Sequence, residues 1–133
     1  MKGLIKVITL VVLLLFASKV YAWDNICDVA KETPYMTSVN LKDFYDDKMK
    51  GRLFEGSGFV KNVWQYGVNK YHAVRVDCGN DVIVNVSTSS DMKDLKVGQS
   101  VSFDGTCISY SRRRYVDTQK VYMIYELDRG SVK

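Results

Sequence analysis

After Gly51, apolar and polar residues alternate along most of the chain, which is the period-two pattern of β-strands. Glycines at positions 56 and 58 interrupt the first of these runs, and glycines inside a strand indicate a bulge or a sharp bend. The pattern predicts five strands, at residues 53–64, 71–78, 82–86, around 101–103, and 120–127. The part of the chain after Gly51 is therefore expected to be almost entirely β.

The segment before Gly51 has a helical pattern instead. Leu41, Phe44 and Tyr45 lie at positions i, i+3 and i+4, which form one apolar stripe on a helix. Ser38 is the expected N-cap of this helix. A shorter helix, capped by Asp24, is expected to precede it. The sequence therefore predicts one or two short N-terminal helices before the strands.

Strand alternation also predicts which side chains point into a core. The inward set is His72, Val74, Val76, Cys78, Val82, Val84, Val86, Val101, Phe103, Val121, Met123, Tyr125 and Leu127. Because His72 shares its face with two valines, we interpret this single histidine as a packed core residue. A long bent first strand followed by four shorter ones, with a connection between the third and fourth, is typical of a five-stranded OB-fold barrel.

Three stretches carry a family resemblance that covers about 90 residues. They are residues 41–47, ahead of the barrel, residues 56–63, in the first strand, and residues 95–107, a Lys-Val-Gly turn with the fourth strand. Together they resemble the exported bacterial OB-fold proteins related to the tRNA-anticodon-binding type. The resemblance implies the fold and a binding role, and its third motif encodes closure of a barrel rather than chemistry.

The N-terminus has the three-part layout of a secretory signal peptide. Lys2 and Lys6 precede an apolar run from 7 to 17, and Val20-Tyr21-Ala22 follows, with small or short side chains at its first and third places. Cleavage is expected after Ala22, and an uncleaved N-terminal anchor is the alternative. The resulting organisation is a signal peptide at 1–22, a helical extension at 23–50, an OB-fold barrel at 51–128 and a flexible tail at 129–133. We expect a periplasmic or secreted protein with no stable membrane anchor after cleavage.

Removal of the leader changes the charge balance. The chain carries 19 Lys+Arg against 15 Asp+Glu, a net charge of +4. Without Lys2, Lys6 and Lys19 the basic count falls to 16, which leaves +1. A nearly neutral domain has no global field that attracts polyanions, so nucleic acid is an unlikely partner.

Three cysteines follow the leader, at Cys27, Cys78 and Cys107. Export favours one disulfide and one remaining thiol, and three pairings are open. The inward phase of Cys78 and Cys107 favours their pairing, with Cys27–Cys107 next. A bulge at Gly105 would reverse the phase of Cys107. The remaining thiol is expected to be buried, or to pair between chains.

The sequence contains no pattern of a catalytic site. Its single histidine cannot build a zinc site with scattered cysteines, and no paired carboxylates or Ser/His/Asp order is present. We therefore expect a non-enzymatic protein with no catalytic residue, no metal and no cofactor.

Aromatic and basic residues cluster in the loops between strands one and two and between strands four and five. The predicted ligand-binding residues are Tyr66, Tyr71, Arg75, Tyr110, Arg112, Arg114 and Tyr115. Aromatic rings stack on sugar faces or bases, and arginine pairs with anionic groups. These residues predict recognition of an envelope oligomer, a glycan or another anionic polymer.

The rival hypothesis is a protein-interaction factor of the envelope, such as an inhibitor, a complex subunit or an oligomeric receptor-binding subunit. In this interpretation the apolar residues Trp23, Ile26 and Val29, together with the unpaired thiol, form an interface. An oligomer is then possible.

Overall fold

The computed structural model describes residues 23–66 and 71–133, and the protein is mainly β. The predicted signal peptide at 1–22 lies outside the described residues. The strands are β1 (Asp24–Asn25), β2 (Leu53–Tyr66), β3 (Tyr71–Gly79), β4 (Val82–Thr88), β5 (Ser100–Arg114) and β6 (Val121–Val132). The helices are α1 (Ile26–Val29) and α2 (Ser38–Lys48), with a 3-10 turn at Thr33–Tyr35 between them.

The strands form one six-stranded sheet in the order β1-β2-β3-β4-β6-β5. The long strand β2 pairs with β5 through its first half and with β3 through its second half. β4 and β6 are parallel, whereas the pairs of β2 with β3, β3 with β4, and β5 with β6 are antiparallel. The five strands predicted from the sequence correspond to β2 to β6, and the two-residue strand β1 was not foreseen.

The two glycines in β2 allow close backbone approach. A Cβ atom on Gly56 would lie 2.6 Å from Cζ of Phe103, and one on Gly58 would overlap the carbonyl group of Asp77. Phe103 belongs to β5 and Asp77 to β3, so the chain passes between its two partner strands where it has no side chains. The absence of side chains at Gly56 and Gly58 thus has a steric basis, and the irregularity of β2 lies further on, between Val60 and Asn62.

The core is formed by the inward-facing side chains of the sheet together with side chains of the N-terminal segment. Its largest fully buried side chains are Tyr125, Phe54, Ile26, Met49, Met123 and Leu127. The inward faces predicted for β4, β5 and β6 are confirmed at Val82, Val84, Val86, Val101, Phe103, Met123, Tyr125 and Leu127. Helix α2 contributes Leu41 and Tyr45, and its N-cap is Thr37 rather than Ser38.

The disulfide prediction was wrong. Cys27 pairs with Cys78 over a Cα–Cα distance of 5.5 Å, and Cys107 is a buried free thiol. Cys107 does point inward as the alternation indicated, but inward phase does not make two residues neighbours. β3 and β5 are not paired with each other, whereas the turn of chain at α1 lies beside the end of β3.

The C-terminus also differs from the expectation. Of the predicted flexible tail at 129–133, residues 129–132 complete β6, where Ser131 is opposite Asp104 and Val132 is opposite Phe103. Lys133 exchanges two backbone hydrogen bonds with Ser102. These ladder bonds order the end of the chain.

The N-terminal extension is part of the core rather than an appendage. Ile26 and Ala30 are fully buried, and Val29 packs against the core cluster. Of the interface elements named in the rival interpretation, Ile26 and the Cys107 thiol are therefore enclosed within the domain, whereas Trp23 is 38% exposed.

Candidate functional site

Three outward side chains, one each on β3, β4 and β6, form a polar row, and we call this side of the three strands the outer face. Arg75 is opposite Asn85 in the β3–β4 ladder, and Asn85 is opposite Glu126 in the β4–β6 ladder. Residues directly opposite each other in neighbouring strands point to the same side of a sheet. Since the core valines occupy the alternate positions, these three residues point away from the core.

A hydrogen-bond chain joins these three side chains. Nε of Arg75 donates to Oδ1 of Asn85 at 2.9 Å, and Nδ2 of Asn85 donates to Oε1 of Glu126 at 2.9 Å. The guanidinium carbon of Arg75 also lies 5.6 Å from the ring centroid of Trp64. The positive end of the row is therefore held by a cation–π contact and the negative end by Asn85.

Tyr66 and Tyr71 close one end of the outer face. Their rings are stacked, with centroids 6.1 Å apart and an interplanar angle of 28°, and each side chain is about two-fifths exposed, at 41% and 42%. They line a groove of about 510 Å³ together with Ser87–Ser89 and Asp128–Gly130. We call it the tyrosine groove. It is the place where the predicted first-loop residues meet side chains that the sequence did not single out.

A second aromatic pair lies toward the β5–β6 turn. Tyr115 and Tyr122 stack with centroids 4.4 Å apart. Arg113 is opposite Tyr122 in the β5–β6 ladder and so shares the outer face with it. Of the three consecutive arginines, Arg113 is the one that belongs to this surface.

Three of the predicted binding residues lie elsewhere. Tyr110, Arg112 and Arg114 are opposite Tyr125, Met123 and Val121, so they follow the inward phase of β6. Tyr110 packs on Tyr45 at a centroid distance of 4.5 Å.

Arg112 is bound to the N-terminal extension. It donates to the carbonyl oxygen of Met36 and, at 3.0 Å, to Oγ of Ser38. The register shift between Cys107 and Ser109 sets this phase, and alternation alone does not reveal it. Arg112 therefore links β5 to the N-terminal extension.

His72 lies in the core-facing phase of β3 and is 8% exposed, which agrees with the interpretation as a core histidine. Its Nε2 is 3.6 Å from Oδ1 of Asp91, and Lys93 approaches the other carboxylate oxygen at 3.6 Å. The pKa of Asp91 is lowered, mainly by the backbone N–H of Lys93 that bonds to its carboxylate. The arrangement tethers the β4–β5 connection to the sheet.

Cys107 does not have the surroundings of a reactive cysteine. Burial raises the pKa of its thiol to about 11, and the residue has no exposed surface. Burial likewise raises the pKa of the neighbouring Tyr45 and Tyr125 hydroxyl groups. Nucleophilic cysteines need a lowered pKa and access to solvent, so this cluster has a packing role.

The sequence held a partial signal for the residues that were missed. Asn85 and Ser87 alternate with Val84 and Val86 along their strand, and Glu126 lies between Tyr125 and Leu127 of the predicted inward face. Their meeting depends on the parallel register of β4 and β6, which joins two segments 41 residues apart.

Comparisons with known proteins give no family. No family model matches the chain, and no curated protein matches its sequence.

Within residues 23–66 and 71–133, no three His, Cys, Asp or Glu side chains group as metal ligands would. None of the helices in that part of the chain is long and apolar enough to cross a membrane.

Proposed function

We propose that this protein is an exported, non-enzymatic OB-fold binding protein that recognises an oligomer of the cell envelope, a glycan or another polymer, through its outer face. The observation that carries the proposal is the tyrosine groove. There, a stacked pair of half-exposed tyrosines borders a polar cleft at the edge of three strands. Clefts with aromatic walls and a few placed polar groups are the usual form of a ligand site.

The pairing of the strands supports the OB-fold part of the proposal. An OB-fold is a five-stranded, partly open Greek-key barrel in which the second and third strands and two loops bind ligands. Here β2 to β6 follow one another as β2-β3-β4-β6-β5, and β5 pairs again with β2. In that correspondence the binding strands are β3 and β4, which carry Tyr71, Arg75 and Asn85.

Two features support export. The first is the leader-like pattern of residues 1–22. The second is the disulfide between Cys27 and Cys78, because structural disulfides are typical of oxidising compartments. Both features support a location where envelope polymers are within reach.

Binding rather than catalysis is proposed because the outer-face groups bond to one another. Arg75, Asn85 and Glu126 form a continuous hydrogen-bond chain, which holds their side chains in a fixed arrangement. The buried thiol of Cys107, with its raised pKa, is not available as a nucleophile.

The test is co-sedimentation of the protein, recovered from its own exported fraction, with insoluble envelope polymer preparations. We expect it to pellet with one of them and the Tyr71→Ala variant to remain in solution. Arg112→Gln is the matched control, since Arg112 faces the extension and not the groove. Equal pelleting of wild type and Tyr71→Ala would reject this site.

A second candidate, an envelope protein partner, is favoured by a different observation. Phe59 and Val97 are exposed at 60% and 77%. A backbone hydrogen bond from Gly98 to Val60 brings their two segments together. Light scattering distinguishes the self-association form of this candidate. A stable oligomer that Phe59→Ser converts to a monomer would support it, and a monomeric wild type would favour the oligomer-binding function.

A further inference from the structure

The charges around the tyrosine groove specify the class of ligand more closely than the proposed function does, and the inference rests on that function. On the outer face and at its margin, Arg75 and Lys61 each have an acidic group in their surroundings. Arg75 is joined to Glu126 through Asn85, and Lys61 lies 3.7 Å from Asp77 at the margin. The groove itself is lined by one acid and one base, Asp128 and Arg129.

The Nε–H edge of the Arg75 guanidinium is engaged by the protein rather than offered to an anion. Its Nε–H bonds to Asn85, and its guanidinium lies over Trp64. A phosphate or sulfate is bound best by a guanidinium that is free to offer two parallel N–H groups. Asn85, 4% exposed, locks Arg75 to a carboxylate partner, which lowers the potential that an approaching anion would meet.

Polyanion sites have the opposite composition. They combine several lysines or arginines on one face, so that each releases counterions when it meets a phosphate. In the described part of the outer face, Arg113 is the basic residue without an acidic neighbour on the adjoining strand. The residue opposite Arg113 on β6 is Tyr122. Arg112 and Arg114, which the sequence grouped with it, follow the other phase of β5.

The polar groups of the groove suit hydroxyl groups instead. Ser87 and Ser89 contribute hydroxyls that both donate and accept, and Asp128 and Arg129 add one acceptor and one donor set. Beside them, Tyr66 and Tyr71 present apolar ring surface ending in polar hydroxyls. A pyranose ring has the same combination: C–H groups on its faces and hydroxyls that donate and accept at its edge.

We infer that the tyrosine groove and the adjoining outer face bind an uncharged oligosaccharide, with a sugar ring against Tyr66 and Tyr71 and hydroxyls bonded to the groove's polar groups. Binding of this kind has little ionic component. Its affinity is therefore insensitive to salt, whereas a polyanion that contacts 6–10 basic groups loses about 10³–10⁵ in affinity between 50 and 200 mM salt.

The experiment is a calorimetric titration of the protein recovered from the exported fraction, at 50 and 200 mM NaCl. The uncharged probes are tetrasaccharides of N-acetylglucosamine, β-1,4-glucose and α-1,4-glucose. The polyanionic probes are heparin and an oligothymidylate. We expect at least one tetrasaccharide to bind with an affinity that changes less than twofold between the two salt concentrations. Tyr71→Ala should weaken it at least tenfold, and the control Arg112→Gln should leave it unchanged.

The possible failures are distinguishable. Binding of heparin or the oligothymidylate, weakened by Tyr71→Ala and falling more than tenfold with salt, overturns the uncharged class and keeps the binding site. Absence of binding to all three tetrasaccharides also overturns the inference, even where Tyr71-dependent sedimentation with envelope polymer persists. Loss of Tyr71 dependence in both experiments rejects the proposed function itself. Thermal unfolding of each variant verifies that it is folded.

Discussion

The hydroxyl of Tyr125 donates a hydrogen bond of 2.7 Å to Oγ1 of Thr33, and both residues are fully buried. The hydroxyl of Thr33 in turn donates a hydrogen bond of 2.6 Å to the carbonyl oxygen of Ala30. Strand β6 is thereby connected to the N-terminal extension, 92 residues earlier in the chain. The extension and the sheet should consequently unfold together.

Removal of the Tyr125 hydroxyl tests this connection. Tyr125→Phe keeps the buried ring but deletes the bond to Thr33, so we expect a loss of about 1 kcal/mol in the free energy of unfolding. Denaturant unfolding measures it. Tyr71→Phe is the matched control, since its side chain is 42% exposed and should change stability by less than about 0.5 kcal/mol. Equal stability of Tyr125→Phe and the control would contradict the role of this bond.

Neighbouring arginines on β5 should behave differently in stability measurements. Arg112→Ala removes the bonds to Met36 and Ser38 and leaves the Met36 carbonyl without this donor, so we expect a loss of about 1–2 kcal/mol. Arg113→Ala should change stability by less than about 0.5 kcal/mol, because Arg113 is exposed. Thermal unfolding of both variants decides the point, and the reverse order would show that the β5 register differs from the one described.

Thiol mapping checks the disulfide. In denaturant without reductant, one thiol should alkylate, and peptide mapping should locate it at Cys107. The bridge closes a loop of 51 residues, for which the chain-entropy relation gives about 4 kcal/mol. The double variant Cys27→Ala with Cys78→Ala should lose stability of that order. Alkylation of Cys27 or Cys78 in the oxidised protein would refute the pairing.

Cys107 should make stability fall at alkaline pH. Its pKa is raised in the folded protein to about 11 from an ordinary value near 9.0, so the thiol ionises more readily in the unfolded chain. The stabilising contribution is complete below pH 9 and is lost as pH rises toward 11. We expect wild type to lose about 1 kcal/mol more than Cys107→Ala between pH 8 and pH 10.

The measurement is guanidinium unfolding of both proteins at each pH, with the disulfide verified by mass afterwards. Burial also raises the pKa values of Tyr45 and Tyr125, but both proteins share that effect, so the difference between them reports on Cys107. Parallel stability profiles of the two proteins would show that the thiol is not buried in solution.

Local pattern was enough to predict the elements and their inward faces. Val82, Val84 and Val86 occupy alternate positions of β4, and all three are fully buried, because strand geometry sends successive side chains to opposite sides. Gly56 and Gly58 likewise marked the place where β2 passes between two partners. In the candidate site, Tyr66 and Tyr71 were predictable because they are only five positions apart in the sequence.

Only the tertiary structure decided which of these faces and residues meet. Alternation says that Cys78 and Cys107 point inward, yet the partner of Cys78 is Cys27, since α1 and not β5 lies beside the end of β3. A one-residue register shift after Cys107 turns Arg112 toward the extension and Arg113 toward the outer face. The parallel pairing of β4 with β6 brings Asn85 to Glu126. The hydrophobic period is a property of residues that are neighbours along the chain, so the sequence by itself determined the strands. Register and strand order arise from contacts between distant segments, so only the tertiary structure determined the site.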